Sequence, residues 1–153
     1  VLLDGSIREN LLWANPEASE EDMWRSLGLV SIDEFIKSLP NQLETLVGDR
    51  GVSISGGQKQ RISLALALVR NPDILILDEV TSALDQESEK IIRQSLKSLS
   101  HKLTIISVTH RASMAEHSDM IHVFDKGTIV ESGNYNDLMK NKGAFVKLMS
   151  GNS

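Results

Sequence analysis

The chain contains no cysteine, which excludes disulfides and thiolate metal sites. Its longest unbroken apolar run is Leu64 to Val69. That is far short of the ~20 residues a bilayer-crossing helix needs. Basic residues are outnumbered, 16 against 21 acids, giving a net charge of −5. Such a balance argues against nucleic-acid binding as the main business. There is no internal repeat or low-complexity tract. No glycine is followed by lysine, so the Gly-x-x-x-x-Gly-Lys-Ser/Thr phosphate cradle is missing as well. What remains is ordinary: 153 residues, 41% hydrophobic and 24% charged, enough to bury a core.

The informative stretch runs from Ser53 to Asp85. It reads Ser53-Ile-Ser-Gly-Gly-Gln-Lys-Gln-Arg61, then an apolar helical run to Asn71-Pro72, then Ile74-Leu-Ile-Leu-Asp-Glu79 and Ser82-Ala-Leu-Asp85. A serine beside two glycines at a helix start lets backbone approach an anion, and the helix dipole favours that charge. The following apolar strand ends in two carboxylates, and ligands in open α/β sheets bind at that end. Adjacent acids suit a division of labour between holding Mg²⁺ and acting on water.

At these residues the sequence resembles the ATP-binding cassette (ABC) ATPases. Ile54-Ser-Gly-Gly-Gln58 looks like that family's signature motif, with Ile54 where leucine is usual. Ile74 to Glu79 resembles its Walker B strand and Ser82 to Asp85 its D-loop. His110, in Ser107-Val-Thr-His-Arg111, sits where the family carries its switch histidine. The segments Asp4 to Asn10 and Thr45 to Gly51 resemble exporter-type cassettes, the second being similar to their X-loop with Asp49 where glutamate is more usual. The resemblance implies roles. The Ser55 hydroxyl and the Gly57 N–H would touch the γ-phosphate of ATP held by an opposite subunit, with Gly56 and Gln58 completing that cofactor-binding motif. Asp78 would help hold Mg²⁺, Glu79 would polarise the attacking water, and His110 would hydrogen-bond the γ-phosphate. Asp85 would add a contact across the dimer besides capping a helix.

The expected fold is α/β, a partial P-loop NTPase-like (RecA-like) parallel-sheet core with a helical subdomain. Residues 1–70 are assigned to the helical signature subdomain and 71–153 to the C-terminal part of the ATPase core. In detail, Ser6-Ile-Arg-Glu9, Ser19-Glu-Glu-Asp22 and Ser31-Ile-Asp-Glu34 read as capping boxes, with Gly28 and Pro40 as helix stops. Trp13 and Trp24 read as core or domain-interface packing. The signature helix is placed from Gln58 to Arg70 and buried. Ile74 to Leu77 and Leu103 to Val108 read as buried parallel strands covered on both faces. Asp85 caps a helix carrying Ile91, Ile92, Leu96 and Leu99. Asp125-Lys-Gly127 joins two strands as a hairpin. Lys59, Gln60 and Arg61 read as solvated or structural, and His101, His117 and His122 as structural.

The resemblance implies an ATP-hydrolysing domain of an ABC exporter that couples hydrolysis to transmembrane transport. ATP and Mg²⁺ are its cofactors. Its partners are a second nucleotide-binding domain and the transporter's transmembrane domains, with no nucleic acid. It would sit peripherally on the cytoplasmic face of a membrane. Lacking the phosphate cradle, the isolated chain is expected to be inactive. Two alternatives stand beside this: a non-hydrolysing cassette piece that serves as a dimerisation module, and a soluble non-transporter ABC ATPase. The exporter-like segments and the acidic charge count against the last.

Overall fold

A computed structural model describes residues 2–48, 51–81 and 84–150. The chain divides into two compact units, Val1–Ile76 with Ala83–Ile106, and Leu77–Ser82 with Ser107–Ser153. Among the described residues no helix is long and apolar enough to cross a membrane.

The first unit is built from capped helices. A two-residue strand β1 (Gly5–Ser6) pairs antiparallel with β2 (Leu46–Val47). Between them run α1 (Ile7–Ala14), α2 (Glu20–Leu29), α3 (Asp33–Ser38) and a 3₁₀ turn, Gln42–Glu44. Ser6 with Glu9 and Ser19 with Asp22 both close reciprocal capping boxes, as the sequence predicts. Then comes α4 (Gly56–Leu68), against which α1 and α2 pack. Ile7, Leu11, Leu27, Ile62, Ala65 and Val69 are fully buried there. The α1–α4 junction is tied by Arg70 Nε donating to the Ala14 carbonyl (2.6 Å) and Asn15 Nδ2 to the Val69 carbonyl (3.1 Å). Asn71 then takes a left-handed φ of 49°, and with Pro72 it ends the helix. The helix α5 (Gln86–Leu99) is capped by Asp85 and buries Ile92, Leu96 and Leu99.

Two expectations are corrected in this unit, and for Trp13 only the core half of the expectation is. Ser31 does not open a capping box. It sits at φ 55°, and α3 begins without a side-chain cap. Nor does Gly28 stop α2, which runs on to Leu29. Ser31 N–H donates to the Gly28 carbonyl and Ile32 N–H to the Leu27 carbonyl, so Ser31 ends the helix in the left-handed position usually given to glycine. The short link to α3 forces this, since the chain must turn within three residues. Trp13 is not packed in this chain's core either, being 70% exposed. Trp24 is half-buried, with the Lys37 amine 5.7 Å above its ring.

Strands β3 (Ile74–Asp78) and β4 (Thr104–Val108) form a two-stranded sheet. Thr104 N–H donates to the Asp73 carbonyl and Glu79 N–H to the Val108 carbonyl, each at 2.9 Å, so the strands run parallel. They were expected to be covered on both faces; one face is bare. Leu75 and Leu77 are buried while Ile76 is 70% exposed, and Ile106 and Val108 are exposed too. An all-aliphatic strand specifies two apolar faces, and only one is met by other residues here.

The second unit ends in a hairpin and two helices. A short helix α6 (Ala112–Ala115) precedes β5 (Ile121–Asp125) and β6 (Thr128–Gly133), which pair antiparallel. Their turn places Lys126 at φ 47° and Gly127 at φ 79°, the two left-handed residues a tight hairpin demands. Helices α7 (Tyr135–Asn141) and α8 (Ala144–Ser150) close a small core of Ala115, Val123, Leu138 and Phe145. Tyr135 meets Phe145 edge to face at 5.7 Å. The mixture of helices with a small parallel sheet agrees with the α/β assignment.

Candidate functional site

The predicted site residues fall into two clusters, one in each unit. In the first, Ser55 is the N-cap of α4 with extended backbone (φ −63°, ψ 160°). Its hydroxyl accepts from Gln58 N–H (3.2 Å), and the Gln58 side-chain carbonyl accepts from Ser55 N–H (2.9 Å). This capping box satisfies the first and fourth free amides of the helix start. The amides of Gly56 and Gly57 lie between them. Ser55 and Gly56 are exposed, and a Cβ built on Gly56 would meet nothing within 4 Å. The exposed Ser55 and Gly56 at a helix dipole end fit a phosphate oxygen, while Gly57 behind them is buried. Asp85, in the same unit, caps α5: Ser88 N–H and Ser88 Oγ–H donate to its two carboxylate oxygens, each at 2.9 Å. Those bonds, the backbone one foremost, hold the Asp85 carboxyl below its usual pKa.

In the second cluster β3 delivers Asp78 and Glu79, and β4 leads to His110. Glu79 N–H bonds the Val108 carbonyl, which extends the ladder one residue beyond β3. The backbone then turns at Glu79 into the left-handed region, φ 47°. For a glutamate this is strained, and such strain gathers where a side chain must be aimed. The turned side chain brings Glu79 Oε1 to 3.0 Å from His110 Nδ1, both half-exposed. The two atoms are within hydrogen-bond distance, with the proton's place set by the tautomer of the imidazole. Asp78 is exposed at the strand end. Among the described residues no three His, Asp or Glu side chains converge as a metal site. Mg²⁺ is commonly held by one or two carboxylates with water and phosphate oxygens, and Asp78 fits that donor set.

Part of the expected pattern lies outside the described residues: Asp49 and Arg50 of the X-loop-like segment, and Ser82 and Ala83 of the D-loop-like one. Two residues gain importance from the geometry. Arg61, read as solvated or structural, donates Nη1–H to the Ser31 carbonyl at 2.6 Å, and its Nε is buried without a partner. Burial lowers its pKa, while Asp85 and Glu87 pull the other way. Ser88 went unremarked in the sequence; its spacing three residues after a capping aspartate was the available signal.

Residues 2–82 match the family profile described as ABC transporter. The leptomycin B resistance protein pmd1 of Schizosaccharomyces pombe is 46% identical over 149 residues, 97% of this chain and 11% of that protein. ABC transporter B family member 4 of Dictyostelium discoideum is 44% identical over 144 residues, 94% of this chain and 19% of that protein. The chain thus spans less than a fifth of the length of these curated relatives. Among solved structures, a bacterial Atm1-family ABC exporter with ATP bound matches with a TM-score of 0.88 and 35% identity, over all of this chain and 27% of that one. With the profile covering more than half of its residues, the chain belongs to the ABC transporter family.

Proposed function

We propose that this chain is the C-terminal part of the nucleotide-binding domain of an ABC exporter, in which ATP hydrolysis drives transport across a membrane. Residues 1–70 serve as the helical signature subdomain and 71–153 as the C-terminal part of the ATPase core. The domain lies on the cytoplasmic face, against transmembrane domains, and works as a dimer with a second nucleotide-binding domain. The observation that carries this reading is the Glu79–His110 hydrogen bond at 3.0 Å, set by a strained glutamate at a strand end. The bacterial exporter that matches throughout was solved with ATP bound, which supports the same reading.

In this reading Glu79 accepts a proton from the attacking water, and His110 orients that carboxylate through Nδ1 while an N–H at Nε2 would donate to the γ-phosphate. Asp78 would hold Mg²⁺, which neutralises phosphate charge when bound. The Ser55 hydroxyl and the Gly57 N–H serve as donors to the nucleotide of the opposite subunit, with Gly56 and Gln58 completing the motif, and Asp85 lies at the same interface. Without a Gly-Lys phosphate cradle, the 153-residue chain alone neither holds ATP tightly nor hydrolyses it.

The test uses the full-length protein that carries this chain. Glu79→Gln should retain equilibrium ATP binding while Mg²⁺-dependent turnover falls ~10²–10⁴-fold. Near-wild-type hydrolysis by that variant would refute the assignment.

A further inference from the structure

Gly57 is buried, and a neighbour dictates that it be glycine. A Cβ built there would lie 2.6 Å from Ser88 Cβ and closer still to Ser88 Oγ, nearer than side chains pack. The first turn of α4 therefore rests directly on the first turn of α5. The same Ser88 grips Asp85 by both oxygens, through its amide and through its hydroxyl. This differs from the caps of α1, α2 and α4, where the third residue reaches back to the N-cap amide. A serine side chain is too short for that reach, and its hydroxyl is spent on the carboxylate instead. One turn further along α4, Arg61 is anchored on the Ser31 carbonyl within the field of Asp85 and Glu87.

We propose that Ser88 is a positioning residue linking the two signals in this unit: it couples the first turn of α4, which carries Ser55 and Gly57, to the carboxylate of Asp85. Close-packed contacts transmit small displacements rather than absorbing them. A shift of α4 as its amides engage a phosphate moves Ser88, and Ser88 carries Asp85 with it. The inference rests on the cassette reading above, since only there do both turns face a nucleotide.

The experiment compares wild type, Ser88→Ala, Asp85→Asn and the double variant in the full-length protein, measuring ATP turnover and thermal unfolding. Ser88→Ala keeps the amide bond to Asp85, so the α5 cap and the unfolding midpoint are retained. A purely structural cap predicts unchanged kinetics. Coupling predicts that kcat falls roughly 3- to 30-fold while KM for ATP stays within about twofold. Because the hydroxyl acts through Asp85, the double variant should lose no more than Asp85→Asn alone. Unchanged kcat, a rise in KM alone, or additive losses overturn the proposal. A wild type without ATP turnover overturns the cassette reading itself and the proposal with it.

Discussion

Two turns carry the proposed chemistry, and they are built in opposite ways. The turn at Ser55 is relaxed: extended backbone, a reciprocal capping box with Gln58, and a helix that continues as its sequence dictates. The turn at Glu79 is strained. Its backbone is left-handed, and it is fixed by a hydrogen bond to Val108 and a side-chain contact to His110, both some thirty residues away. An anion-binding helix start needs only local groups, already pointing the right way. A general base must be aimed at one point, and that takes neighbours able to hold an unfavourable φ. The difference teaches where binding ends and catalysis begins.

The largest effect that sharpens the contrast is on His110. If the imidazole both orients Glu79 and meets the phosphate, His110→Ala in the full-length protein should lower kcat by roughly 10²–10³-fold. ATP affinity, supplied mainly elsewhere, should hold. Steady-state turnover with a separate equilibrium nucleotide titration measures both. A variant that loses affinity but keeps turnover would place His110 in binding and blur the distinction between the two turns.

On the relaxed side, the two glycines should part company. Gly57→Ala drives a methyl into Ser88 and should destabilise by ~1–3 kcal/mol, as overpacking does. Gly56→Ala points into open space and gains helix propensity, so its effect should be within ~0.5–1 kcal/mol and stabilising. Urea unfolding of the chain followed at Trp24, half-buried in the same unit, reads both. Equal losses would mean that the contact between α4 and α5 does not constrain Gly57.

How much of this could be read from the residues follows the same division. The boxes at Ser6 and Ser19 were legible because a capping residue and its partner sit three apart, whereas the box at Ser55 and the start of its helix at Gly56 rather than Gln58 were not read. The Lys126-Gly127 hairpin turn was legible too. Ser31 misled because its sequence satisfies the box as well as Ser19 does; the closing of α2 claimed it first, and that competition is tertiary. The bare face of β3 misled for a related reason. Ile74 and Ile76 state only that they are apolar, not whether anything covers them. The juxtaposition of Glu79 with His110 came from family resemblance and from no local signal, since 31 residues separate them. Ser88 offered one local signal, its spacing after Asp85, while what it excludes at Gly57 depends on tertiary packing.

The finest test of the comparison is one of sign. Ser55→Ala removes a relaxed cap and should destabilise by ~1 kcal/mol. Glu79→Asn should do the reverse, since asparagine tolerates the left-handed region better than glutamate. The strain relieved is ~1 kcal/mol or more. Losing the half-exposed bond to His110 returns part of it, ~0.5–1 kcal/mol, so the net gain should be small, ~0.5 kcal/mol. The chain offers a separate probe for each unit. Both tryptophans lie in the first, and the single tyrosine, Tyr135, is packed on Phe145 in the second. Urea unfolding read at Trp24 for Ser55→Ala and at Tyr135 for Glu79→Asn should therefore move in opposite directions. If Glu79→Asn instead destabilised by as much as Ser55→Ala, the hydrogen bond to His110 would outweigh the backbone strain, and Glu79 would be a structural anchor rather than a residue held under tension for its chemistry.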